Sequence, residues 1–257
     1  MNHKKKAKET KVKEIKYYGI HSCLKLFEER KDDIIRLYLD ESNLKTFKMV
    51  MKWCSQNKKA YHVVTAKELE KITESHHHEG VCLLAKEKPK KTFEDLILDV
   101  AKKDRVCLLY LDGVSNPHNI GSIMRAMAHF GVLYILADEA KVPPLSPSAF
   151  RIAKGGSEYV NLVLIKNPQE GLKKLKKLGF ELVTTSSHGG SSLYKYAFAK
   201  KSVIVMGAES EGVSKKLFDL AEIKIQIPGT GLVESLNVSV AASLCVSEWV
   251  SKNQLFS

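Results

Sequence analysis

LYLDGVSNPHNIGSIMRAMAHFG, residues 109–131, joins an apolar run to a helical stripe through a polar turn. The run itself begins at Val106, and Val106-Cys107-Leu108-Leu109-Tyr110-Leu111 shows no polar alternation, so it reads as a strand buried on both faces. Beyond the turn, Ile120, Ile123, Met124, Met127 and Phe130 share one stripe of a helix over 120–130. A buried strand, a tight turn and a helix open a parallel α/β unit. Sheets that bind dinucleotides place G-x-G-x-x-G in this turn, so that the pyrophosphate can approach bare backbone. Here the turn is Asn116-Pro117-His118-Asn119, and only Gly121 precedes the helix body.

The same alternation continues to the end of the chain. Strands are expected at 106–111, 132–137, 160–165, 181–185, 202–206 and 223–227, and helices at 120–130, 147–154, 168–178, 214–221 and 235–250. Apolar strands joined by helical crossovers imply an α/β domain with a parallel sheet covered on both faces. Upstream, residues 17–86 alternate helix, strand, helix, strand, helix, strand and form a small α/β domain. Residues 87–104 hold most of the charged linker KEKPKK, which starts at Lys86, and an amphipathic helix with Phe93, Leu96, Ile97 and Val100 on one stripe. The domain organisation is therefore a basic disordered tail at 1–16, a small α/β domain at 17–86, linker and helix at 87–104, and the larger domain at 105–257.

The chain has 257 residues, a hydrophobic content of 44% and a formal net charge of +12. No apolar run reaches the roughly 18–20 residues that span a bilayer, and the lysine-rich N-terminus has no secretory h-region, which makes the cytoplasm the expected location. The excess of Lys and Arg points to a polyanionic partner, since cations gain affinity by releasing phosphate counterions. Cys23, Cys54, Cys82, Cys107 and Cys245 are odd in number, scattered and set among apolar residues. They read as reduced structural thiols rather than disulfides or a zinc site.

Three polar clusters each follow a strand of the larger domain, where open α/β sheets bind ligands. In the first, Asn119 sits at the helix entry, where an N-cap is one explanation, and Arg125 lies opposite the apolar stripe. In the second, VIVMGAESEGVS, the strand stops at Gly207, and Glu209 and Glu211 follow. Caps for a helix starting near Ser214 would explain Glu211 better than Glu209. In the third, IQIPGTGLVESLNVSVAAS, a strand ends at Ile227-Pro228, a glycine loop follows, and Ser235-Leu236-Asn237 opens a helix lined with small residues. Ser235 is the expected N-cap, which leaves Asn237 in the first turn without an explanation from capping.

Together the clusters resemble the three motifs of the SpoU (TrmH-like) RNA ribose methyltransferases of the SPOUT class. The matching residues are Asn116-Pro117-His118-Asn119-Ile120-Gly121 through Arg125 and Phe130-Gly131, then Met206-Gly207-Ala208-Glu209 through Gly212, then Ser235-Leu236-Asn237-Val238-Ser239-Val240-Ala241. Residues 17–86 are similar to the small substrate-binding domain that many members carry, except that His78-Glu79-Gly80 stands where His-Gln-Gly is usual. With His76 and His77 this makes a three-histidine run, read as a loop rather than a metal site.

The resemblance implies transfer of a methyl group from S-adenosylmethionine to a ribose 2′-hydroxyl of tRNA or rRNA. It implies a C-terminal domain tied in a deep trefoil knot and a homodimer formed through it. It places Asn119, Arg125, Glu209, Ser235 and Asn237 at the catalytic centre. Arg125 would hold a phosphate and the forming alkoxide, with Asn119 and Ser235 orienting the arginine or the ribose, Glu209 holding Arg125 or Asn119, and Asn237 bracing the site. It places Thr184, Gly207, Ile227, Pro228 and Leu236 around the cofactor, with the TTSSHGG loop of residues 184–190 nearby, and it implies neither a metal nor a membrane. The alternative is a non-catalytic RNA-binding or ribosome-assembly protein on a methyltransferase fold; binding of S-adenosylmethionine in calorimetry separates the two.

Overall fold

A computed structural model describes residues 13–186, 189–209 and 211–255. The chain divides into two compact units, Met1–Pro89 and Lys90–Ser257.

The first unit runs β1 (Glu14–Tyr18), α1 (Ile20–Arg30), β2 (Ile34–Leu39), α2 (Lys48–Gln56), β3 (Ala60–Val63), α3 (Ala66–Thr73) and β4 (Val81–Lys86). The sheet order is β1-β4-β2-β3, with β4 antiparallel to both neighbours and β3 parallel to β2. Strand β1 corrects the sequence expectation, which assigned residues 14–16 to the basic tail; residues 1–12 lie outside the described residues. EIKYY holds three β-formers, Ile15, Tyr17 and Tyr18, but follows directly on the lysine-rich run. It becomes a strand because β4 supplies a full antiparallel ladder and because Tyr17 and Tyr18 are buried. Helix α3 starts on a capping box between Thr65 and Glu68, and its Leu69 closes over Tyr18 and Cys82 on one face of the sheet.

The histidine run ends structurally. His78 is buried, and its Nδ1 accepts from the Gly80 amide at 2.9 Å. Glu79 stands at φ 54° and its Oε2 accepts from the Ile20 amide at 3.0 Å. The carboxylate that replaces the usual amide therefore satisfies the start of α1, whose N-cap Gly19 has no side chain to do so.

The second unit runs α4 (Phe93–Ala101), β5 (Val106–Asp112), α5 (Pro117–His129), β6 (Tyr134–Asp138), α6 (Pro147–Ala153), α7 (Gly156–Tyr159), β7 (Asn161–Ile165), α8 (Pro168–Lys177), β8 (Glu181–Thr185), β9 (Ser191–Ser192), β10 (Lys201–Gly207), α9 (Lys215–Leu220), β11 (Ile223–Gln226) and α10 (Val238–Lys252). Seven parallel strands lie in the order β7-β6-β5-β10-β8-β11-β9. Every residue of β5 is buried. Leu108 and Tyr110 enter a core with Leu96 and Val100 of α4 and Leu172 and Leu175 of α8. Leu109 and Leu111 enter the opposite core with Ile120, Ile123, Met124 and Met127 of α5 and Trp249 of α10. The uninterrupted apolar run thus serves two cores at once, as a doubly covered parallel strand must.

The strands and helices expected from periodicity are all present, with shifted boundaries and two additions; α5 begins at Pro117, three residues earlier than expected. Strand β6 begins at Tyr134, and α10 begins at Val238, three residues later than expected. The short α7 and β9 were not expected. The stretch before α7 reads as a turn, because Lys154 and Gly155 both take positive φ. All five cysteines are free and buried, and burial pushes the thiols of Cys82 and Cys245 up to about 12. Among the described residues no helix is long and apolar enough to cross a membrane, and no group of three or more His, Cys, Asp or Glu could hold a metal ion.

Candidate active site

β5, β10, β8 and β11 are consecutive in the sheet and parallel, so their carboxyl ends form one rim. The helix after β5 covers one face and the helix after β10 covers the other. Loops leaving adjacent strands toward opposite faces open a crevice between them. All three polar clusters emerge on this rim.

The entry to α5 is made by Asn116, not Asn119. The Asn116 side-chain oxygen accepts from the His118 amide at 2.9 Å, and Pro117 occupies the first helical position. Asn119 is therefore released from capping and presents its amide to the crevice. Arg125 lies six residues on, roughly 9 Å along the axis at 1.5 Å per residue. It is exposed and makes no hydrogen bond or ion pair among the described residues. Beside it the start of α7 abuts α5, where a Cβ on Gly156 would lie 3.0 Å from the Arg125 Cα.

The second cluster is a loop folded back on its own strand. The Ala208 amide donates to the Asp112 carbonyl at 3.0 Å, and the Gly212 amide donates to the Ala208 carbonyl at 2.8 Å. The chain then passes so close over Gly207 that a Cβ there would stand 2.0 Å from the Gly212 carbonyl carbon and 2.2 Å from the Val213 nitrogen. The helix that follows is served neither by Glu209 nor by Glu211. Asp112, at the tip of β5 and only 4% exposed, accepts from the Ser214 amide at 2.8 Å and from Lys141 Nζ at 3.1 Å. Sequence reading passed over Asp112, although an acid closing a six-residue apolar strand was its visible signal.

In the third cluster the N-cap of α10 is Asn237, not Ser235. Its Oδ1 accepts from the Ser239 amide at 2.9 Å. Its Nδ2 donates to Glu209 Oε1 at 2.6 Å and to Asn119 Oδ1 at 3.0 Å. Serine or aspartate would cap as well but has no N–H to give the other two residues; asparagine has both ends. Glu209 Oε1 also accepts from Asn119 Nδ2 at 3.3 Å and from the Val238 amide at 3.4 Å. Asn119, Glu209 and Asn237 thus form one closed network, with the carboxylate set at the start of α10, where the helix field favours an anion.

The remaining expected residues are placed around this network. Ser235 is exposed, two residues ahead of the N-cap, and bonds to none of the three. Glu209 bonds to Asn119 and Asn237, not to Arg125. Thr184 is wholly buried within β8, so that strand presents Thr185 and Ser186 at its end. Ile227 packs against the core while Pro228 and Leu236 are exposed. Between them, among the described residues, the backbone of 228–236 is tied by a Leu232 amide bond to Thr230 Oγ1 at 3.4 Å. Its other donors and acceptors stay available. Ser187 and His188 of the TTSSHGG loop lie outside the described residues, as does Ser210.

Residues 106–247 match the model of the SpoU rRNA Methylase family, and residues 17–91 match that of an RNA 2′-O ribose methyltransferase substrate-binding domain. A protein described as an uncharacterized tRNA/rRNA methyltransferase, YfiF of Escherichia coli O157:H7, is 37% identical over 251 residues, 98% of this chain and 70% of that one. The 23S rRNA (guanosine-2′-O-)-methyltransferase RlmB of Bordetella pertussis is 29% identical over 92% of this chain and 96% of its own. Among solved structures, the SpoU methyltransferase AviRb of Streptomyces viridochromogenes in complex with AdoMet superposes with a TM-score of 0.75 at 19% identity, covering 94% of this chain and 91% of that chain.

Proposed function

Since the chain belongs to the SpoU rRNA methylase family, we propose that it transfers a methyl group from S-adenosylmethionine to a ribose 2′-hydroxyl of RNA, with rRNA the favoured substrate and tRNA the alternative. The observation that carries this is the convergence of Asn119, Glu209 and Asn237 from three separate loops, six residues along α5 from an Arg125 that has no partner among the described residues. The name of the RlmB relative, which specifies 2′-O transfer to rRNA guanosine, supports the choice of atom and of RNA.

The donor set suits S-adenosylmethionine. The ends of β8, β10 and β11 bring together open backbone groups of 228–236, the Gly207 turn, and the apolar side chains of Ile227 and Leu236. Gly207, Ile227, Pro228, Leu236 and the end of β8 just past Thr184 would hold it, by backbone hydrogen bonds to its polar groups and apolar contact with its adenine. When bound, it supplies an electrophilic methyl group on a good sulfonium leaving group. Alignment of the hydroxyl and removal of its proton are left to the protein.

Arg125 is assigned no role as a base, because a guanidinium offers hydrogen-bond donors and no acceptor. It grips the phosphate beside the target ribose and stabilises negative charge developing on the 2′-oxygen. A phosphate oxygen or water accepts the proton. Asn119 and Ser235 orient the ribose, while Glu209 and Asn237 hold Asn119 in one rotamer.

The proposal extends to the trefoil knot of this class, to a homodimer through the knotted domain and to a cytoplasmic location. Supporting the dimer, Leu232, Val233, Leu236 and Val240 stand exposed around the start of α10, with Leu232 at 89%, more apolar surface than one short segment leaves uncovered without purpose.

Labelled methyl transfer to 23S rRNA and to bulk tRNA tests the reading. Label recovered in an alkali-resistant dinucleotide is expected; label on a base, or none in either RNA, overturns it. Asp112 gives a further expectation. Asp112→Asn keeps its shape but loses the charge that ties Lys141 and the Ser214 amide. Charged hydrogen bonds contribute about 1.5–3 kcal/mol, so transfer should fall roughly 10- to 100-fold as the Glu209 loop loosens. Single-turnover rates at saturating cofactor measure it.

A further inference from the structure

We infer that the open half of the first unit's sheet is a stacking platform for unpaired bases of single-stranded RNA. This rests on the proposal that RNA is the substrate, and it names the form of RNA and the residues that meet it.

Register fixes which side chains share this face. Tyr18, Cys82, Tyr38 and His62 stand in one row across β1, β4, β2 and β3; Lys16, Leu84, Arg36 and Ala60 stand in the next. Helix α3 covers the first end of the first row, where Leu69 packs on Tyr18 and Cys82. Tyr38 packs against the edge of this cluster, and beyond it the face is open. Arg36, Ala60 and His62 are exposed, and Tyr38 and Leu84 are half-buried.

What lies open there is aromatic and cationic. Tyr38 and His62 are stacked, with ring centroids 5.3 Å apart and planes at 21°. Arg36 Nη1 donates to Tyr38 Oη at 3.0 Å, holding the guanidinium at the flank of the pair. That bond uses one of five N–H donors and leaves the others for a phosphate. Aromatic pairs of this kind normally gain by burial; here His62 is exposed and Tyr38 only half-buried. The second row spans about 14 Å at 4.8 Å per strand, room for one or two nucleobases beside Leu84 and Ala60. Four-stranded sheets carrying open aromatics bind single strands by this geometry, whereas a duplex keeps its base faces internal. A net charge of +12 supplies the complementary long-range attraction.

Fluorescence anisotropy on the full-length protein tests this with two probes, a mixed-sequence single strand of roughly 12 nucleotides and a blunt duplex of the same length, since stacking discriminates them. The double variant Tyr38→Ala/His62→Ala should bind the single strand roughly 5- to 100-fold more weakly and the duplex unchanged. His62→Ala alone, at an exposed position, should weaken single-strand binding several-fold and leave the melting temperature near wild type, and Tyr38→Phe should retain it. Single-strand affinity equal to wild type in both His62 variants, or an equal loss on both probes, overturns the platform. Methyl transfer by the wild-type protein is measured in parallel. If it proceeds while the variants bind normally, only the platform falls. If it fails while the variants lose strand binding, the platform stands and the catalytic proposal falls.

Discussion

Arg125→Ala should bring methyl transfer down about 10²- to 10³-fold, to near background, while affinity for S-adenosylmethionine should stay within about twofold. The split follows from where Arg125 stands. It is on the exposed side of α5, with no partner among the described residues, so its loss leaves no buried group unpaired. Alanine is also the better helix former, and the variant should melt at or above the wild-type temperature. The proposed cofactor contacts come from the ends of β8, β10 and β11, not from α5. What the variant lacks is the guanidinium proposed to meet charge on the 2′-oxygen. Arg125→Lys keeps the charge without the planar fork and should fall between the two. Calorimetry with S-adenosylmethionine and single-turnover transfer check the pair of expectations; an Arg125→Ala protein that methylates at the wild-type rate removes Arg125 from the mechanism.

Gly207→Ala should act in the opposite manner and damage binding and transfer together. The added methyl meets backbone, the Gly212 carbonyl carbon at 2.0 Å and the Val213 nitrogen at 2.2 Å. No rotamer change relieves such a contact, so the whole 208–213 turn must lift. Glu209 rides on that turn and loses its 2.6 Å bond to Asn237 and its 3.3 Å bond to Asn119. Forcing a methyl into a packed site costs about 1–3 kcal/mol, so the protein should remain folded with a lower melting temperature. Cofactor affinity should fall at least tenfold and transfer by more than about 10²-fold, since both the cradle and the polar network are displaced. Normal cofactor affinity in this variant would show that the turn over Gly207 is no part of the cradle.

Much of the fold was legible because its signals are local. Apolar runs such as 106–111 have no polar alternation, and the stripes at Ile120 to Phe130 repeat at helical spacing, so both elements follow from residues within one or two turns of each other. β1 was illegible for the converse reason. EIKYY is a strand only because β4, more than sixty residues downstream, pairs with it from Glu14↔Lys86 to Tyr18↔Cys82. The caps were ambiguous in the same way. Asn116 and Asn119, or Ser235 and Asn237, are equally good capping chemistries two or three residues apart, and only the packing of the helix decides which one turns inward.

By itself, then, the sequence determined the alternation of strand and helix, the double burial of the sheet and the presence of three polar clusters just past strand ends, because each depends on neighbours along the chain. Tertiary structure alone decided that β10 lies between β5 and β8, that Asp112 anchors the loop of another strand, and that Asn119 and Asn237, 118 residues apart, share one hydrogen bond and one carboxylate. Those contacts depend on strand order, which is set by the packing of the whole sheet, and no spacing along the chain encodes it.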